Sequence, residues 1–114
     1  MAIGLRYRTS EVSPVLRISI HDNAEAATLK LEGNVIGPWA EELNRFWGDF
    51  QSSLGMKRLR LDLCGVTLLD KSGTRTLQKI YRRTGAEILA DTPLTRYFAA
   101  EMMRRIPRHN RKEN

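Results

Sequence analysis

Asp62-Leu63-Cys64-Gly65-Val66-Thr67-Leu68-Leu69-Asp70-Lys71-Ser72-Gly73 is the stretch from which the rest of the chain can be read. On its upstream side, Leu59, Leu61 and Leu63 alternate with Arg58, Arg60 and Asp62, the period of a strand with one covered face. Downstream, from Ser72 to Thr84, the period becomes helical. Leu77, Ile80 and Tyr81 fall on one side, while Lys71, Arg75 and Lys79 recur in steps of four on another. Between the two, the short apolar connection Val66 to Leu69 leads to Asp70, and an Asp-x-Ser-Gly turn opens the helix. The segment therefore predicts a strand, a turn and a helix in succession, with polar chemistry gathered at the turn.

Working outward, Leu16, Ile18 and Ile20 alternate with Arg17, Ser19 and His21, and Leu29 and Leu31 repeat the pattern between Thr28, Lys30 and Glu32. The turn-rich Asp22-Asn23-Ala24-Glu25 between them predicts an antiparallel hairpin, with Gly33 closing its second strand. Pro38 fits a first helical turn, Glu41 and Glu42 suit the positive end of a helix dipole, and Gly55 is a natural stop. Trp39, Leu43, Phe46, Trp47, Phe50 and Leu54 lie at spacings of three and four within that helix, an apolar stripe for the core. Gly85 ends the helix that follows Ser72, and Ala86 to Ala90 reads as a fourth strand. Asp91 or Thr92 caps a third helix from Pro93, with Leu94, Tyr97, Phe98, Glu101 and Met102 at helical spacing. The order β-β-α-β-α-β-α predicts a small α/β domain with a mixed four- to five-stranded sheet and helices packed mainly on one face.

Length and composition agree with one globular domain: 114 residues, 41% hydrophobic and 28% charged. Residues 14–104 form the expected domain, preceded by an N-terminal extension over 1–13. No apolar run approaches the ~20 residues that cross a bilayer, and no apolar stretch follows Arg6 and Arg8 to make a secretory signal. The single cysteine, Cys64, leaves no intramolecular disulfide and suits a reducing cytoplasm. With His21 and His109 it gives too few soft ligands for a structural zinc site.

The net charge of +6 is uneven. Residues 93–114 hold six bases against two acids, +4, whereas residues 1–92 hold thirteen against eleven, +2. Residues 105–114 are expected to form a basic, mobile tail with too little apolar surface to offset ordering.

The central stretch resembles the motif of STAS domains, the family of anti-sigma factor antagonists and sulfate-transporter tails. Their pattern reads roughly Leu-Asp-Leu-Ser-Gly-Val-x-Phe-Ile-Asp-Ser-Ser-Gly. The resemblance extends over about residues 14–104: Leu29 to Gly33 looks like the family's second strand and the glycine after it, and Pro38 to Leu54 like its first helix. It implies a non-catalytic regulatory module that binds a protein partner, an anti-sigma factor or kinase-like regulator, with no cofactor. In the antagonist branch a kinase phosphorylates the serine before the motif glycine. The matching residue is Ser72, with Asp70 and Gly73 in place and Lys71 where the family has its first serine. The loop Asn34-Val35-Ile36-Gly37 lacks the acidic residue common in that branch.

The chemistry of the position is coherent with such a switch. A helix start offers unpaired N–H groups and partial positive charge, which tolerate a phosphoserine within the protein. The added charge, about −1.5 to −2, expels an apolar partner surface. Gly73, without a side chain, lets a partner approach. Asp70, Lys71, Ser72, Gly73, Arg75 and Lys79 are the predicted docking residues, and Ser72 is the candidate for phosphorylation.

Two other functions compete. A nucleic-acid-binding protein would use the Lys71, Arg75 and Lys79 face and the basic tail. The sequence disfavours it, because the aromatics lie on core stripes and not among the bases. A small-ligand sensor for a nucleotide or lipid is the other. Asp62 and Asp70 have no nucleophile–base pairing nearby in sequence and are expected to satisfy turns, and Cys64 to be a small buried thiol. His21 reads as an exposed polar residue, and Gly65 and Gly73 make no phosphate-cradling spacing.

Overall fold

The alternating segments become strands and the stripes become helices in a computed structural model, which describes residues 5–9 and 16–104, with side chains from 16 onward. In chain order these are β1 (Leu5–Thr9), β2 (Leu16–Asp22), β3 (Ala26–Val35), α1 (Gly37–Leu54), β4 (Arg58–Leu69), α2 (Lys71–Thr84), β5 (Glu87–Leu89) and α3 (Pro93–Met103). The sheet order is β1-β2-β3-β4-β5. β1–β2 and β2–β3 are antiparallel, while β3–β4 and β4–β5 are parallel across the two helical crossovers. The fold is thus the expected mixed α/β sheet, with an edge strand, β1, inside the segment read as an extension. The residues expected to form a basic tail, 105–114, lie outside those described.

Register puts one set of side chains on one face. Ile18 pairs with Leu31, Ile20 with Leu29, and Leu29 with Leu61. All are buried, and the helices cover them with Leu43, Trp47 and Phe50 of α1, Leu77 and Ile80 of α2, and Phe98 and Met102 of α3. The other face carries Arg17, Lys30, Glu32, Arg60 and Glu87, joined in ion pairs. In the hairpin, the Asn23 carboxamide oxygen accepts from the N–H groups of Glu25 and Ala26 at 2.8 and 2.9 Å, which fixes the turn.

Several details differ from the sequence reading or narrow it. β3 does not end at Gly33 but continues to Val35, because β4 continues beside it and register irregularities at Lys30/Glu32 and Gly33/Asn34 absorb the mismatch. For the same reason Val66 to Leu69 is not a connection but the last part of a twelve-residue strand. Glu41 and Glu42 fall beyond the first turn of α1, which begins at Gly37. In α3 the inward face is Thr95, Phe98 and Met102, while Leu94 and Tyr97 are exposed. Thr92, not Asp91, caps that helix, its hydroxyl accepting from the Thr95 N–H at 3.0 Å.

Candidate functional site

Because β3 and β4 run in parallel and end side by side, the helices that bracket them also start side by side. Asp70 lies at this junction. Its Oδ1 accepts from the Gly73 N–H of α2 at 2.8 Å, and its Oδ2 from the Gly37 N–H of α1 at 2.9 Å. One carboxylate therefore caps two helices. Ile36, at the cap position of α1, offers no side-chain acceptor of its own, so that helix borrows one from thirty-three residues away. Gly73's N–H first, then those of Gly37, Ser72 and Asp70 itself, hold the Asp70 carboxyl below its ordinary value, against a partial desolvation that opposes them.

Gly73 is buried. A Cβ there would lie 2.0 Å from the Val35 carbonyl oxygen and 2.8 Å from Leu69 Cδ1, so α2 begins against the end of β3 with no room for a side chain. The glycine serves the chain's own packing, and the reading of Gly73 as a point of partner approach is corrected accordingly. Gly37 is constrained differently: its φ of +48° is a left-handed conformation that glycine adopts without penalty.

Ser72 is exposed, as are Lys71, Arg75 and Lys79. Ser72 stands at the edge of a cleft of about 620 Å³, lined by Pro38, Glu41 and Asn44 of α1 and by Ser72, Arg75 and Thr76 of α2. The cleft is open and mixed in charge. At the start of α2 the Asp70 carboxylate already takes the Gly73 N–H, so the expected free donors are taken up in part by the chain itself, while the Thr74 N–H makes the helix's own first bond, to the Asp70 carbonyl at 2.9 Å. A carboxylate thus occupies the place at the helix start where an added anion would otherwise settle.

Arg75 also borders a smaller groove of about 470 Å³ on the outer side of α2, shared with Gln78, Lys79, Arg82 and Arg83. Lys71, Arg75, Lys79 and Arg83 form a row at steps of four, and α2 contains no acidic residue. Adjacent like charges at that spacing each cost about 0.2–0.5 kcal/mol in a helix. Lys71 additionally sits at the positive end of the helix dipole. The Lys79 ammonium donates to the Asn44 carboxamide oxygen of α1.

Sequence reasoning named Asp70 and Ser72 but missed Gly37, Asn44 and the double use of Asp70. The available signal was Ile36: a helix beginning at Gly37-Pro38 behind a residue that cannot cap needs an acceptor from elsewhere. Cys64, half-buried beside Asp62 and Asp91, has its thiol pushed up to about 11, by desolvation first and then by those carboxylates. It is held protonated, as an inert thiol would be.

Among the described residues, no group of His, Cys, Asp or Glu side chains could hold a metal ion, and no helix is long and apolar enough to cross a membrane. The sequence matches no protein-family profile and no curated protein.

Proposed function

We propose that the chain is a non-catalytic, STAS-like regulatory module that docks a protein partner through the start of α2, with the Ser72 hydroxyl as a phosphorylation switch. The observation that carries this reading is the exposed Ser72 at the rim of the α1–α2 cleft, beside a helix start that Asp70 has already capped. Phosphate added there would find the Gly73 N–H of the first turn already engaged with the Asp70 carboxylate. It would remain at the surface, where its charge is presented to the partner.

Lys71 and Arg75 flank the hydroxyl, and an anti-sigma factor or kinase-like regulator in a cytoplasmic setting is the partner that the motif resemblance suggests. The reading includes no cofactor and no chemistry of the module's own.

Affinity capture from native extract tests it, comparing the wild-type chain with Ser72→Asp and Ser72→Ala by mass spectrometry. A protein retained by wild type and Ser72→Ala but lost by Ser72→Asp is the expected result. Equal retention by all three removes the switch, and no specific protein on any of them removes the docking reading.

A further inference from the structure

The distribution of ion pairs separates α2 from the rest of the described surface. Thirteen lysines and arginines lie within residues 16–104, five of them in α2: Lys71, Arg75, Lys79, Arg82 and Arg83. Of the other eight, Arg17, Lys30, Arg45, Lys57, Arg60 and Arg104 are each within 4 Å of a carboxylate, leaving only Arg58 and Arg96. None of the five in α2 is in an ion pair with a described residue. All five are exposed. A merely solvated helix face mixes its signs along i,i+4 rows; this one repeats a single sign for about 18 Å, at 1.5 Å per residue.

We infer that the outer face of α2 is a docking groove for an acidic polypeptide segment, read by Arg75, Lys79, Arg82 and Arg83. The inference rests on the reading of α2 as the docking element and gives the chemistry of what docks. Carboxylates on alternate residues of an extended segment recur every ~6.6–6.8 Å, and on i,i+4 residues of a helix every ~6 Å, both close to the spacing of the basic row. Guanidinium groups take carboxylates in paired hydrogen bonds, and three of the four reading residues are arginines.

Nucleic acid fits less well on two counts. The groove contains no aromatic side chain on which a single-stranded base could stack. The helix itself is the middle one of a layer, packed between α1 and α3 and tied to them through Asn44–Lys79 and Gln78–Glu101. It does not project as a helix entering a major groove must.

The test is fluorescence anisotropy on the full chain with two probes of equal charge: an alanine-based peptide of about fourteen residues carrying glutamates every four, and a single-stranded oligothymidylate. Wild type should bind the peptide at ~50 mM salt and lose at least tenfold in affinity by ~200 mM, because the contact is ionic. Arg82→Glu with Arg83→Glu should weaken binding at least tenfold, and Arg82→Gln with Arg83→Gln about threefold. Arg58→Glu with Arg96→Glu, an equal change in net charge elsewhere, should alter it less than twofold. Equal losses from both glutamate pairs reduce the effect to net charge and overturn the groove. Tighter binding of the oligonucleotide gives the surface to nucleic acid, and no peptide binding at low salt ends the proposal. Ser72→Asp separates the two readings: peptide binding retained while extract capture is insensitive to it leaves the groove standing without the switch.

Discussion

Because the Asp70 carboxylate accepts from Gly37 as well as from Gly73, removing it uncaps α1 and α2 together. A helix cap is worth about 1 kcal/mol, and this site is partly exposed, so Asp70→Ala should cost about 1.5–2 kcal/mol near neutral pH. Asp70→Asn should cost about half as much, since its oxygen can serve only one of the two N–H groups while its NH₂ faces the other. The pH dependence follows from the lowered carboxyl. A depressed folded-state value contributes stability that is fully present above the ordinary aspartate range near ~4 and is lost as pH falls through the folded value. The gap between wild type and Asp70→Asn in urea melts should therefore be widest above pH ~5 and close at lower pH. A constant gap would show that the carboxylate's charge plays no part in the clamp.

At the scale of elements, what the sequence makes legible is whatever depends on near neighbours. The alternation of Leu59, Leu61 and Leu63 and the stripe of Leu43, Trp47, Phe50 and Leu54 place β4 and α1 without knowledge of their partners, and both stripes are buried. The ends of β3 and β4 escape such reading because each is prolonged by the other: Val35 pairs with Leu69, thirty-four positions on. Asp70's bond to Gly37 is hidden for the same reason, and so is Gly73, whose need for glycine comes from the Val35 carbonyl and not from its own turn. The charge row of α2 is local and fully legible, and its cost can be measured. Arg75→Glu turns the repulsions with Lys71 and Lys79 into attractions, with Glu41 across the cleft taking back part of the gain. It should stabilise the fold by about 0.3–0.5 kcal/mol while weakening the acidic peptide. A destabilised Arg75→Glu would mean that Arg75 holds the fold and that its charge is not kept for a partner.

Across the whole molecule the two sides of the sheet differ in kind. The open face balances its charges in pairs such as Arg60–Glu87 at 3.1 Å and Arg17–Glu32 at 3.7 Å, whereas the helical layer has the unpaired row of α2 at its centre. Salt acts on both in opposite senses: it weakens the exposed pairs, which are worth about 0–1 kcal/mol each, and relieves the repulsion within the row and across a chain of net charge +6. The exposed pairs are long or half-solvated, with Lys57–Asp22 at 2.6 Å the exception, so relief of repulsion should win. Raising sodium chloride from ~20 to ~500 mM should lift the thermal midpoint by roughly 3–5 °C, the shift that somewhat under 1 kcal/mol produces in a domain of this size. In Arg75→Glu the same titration should lift it by visibly less, because part of the repulsion has already been removed. A midpoint that falls with salt in the wild type would show that the paired face governs stability, and that the basic row exacts no cost for a partner to relieve.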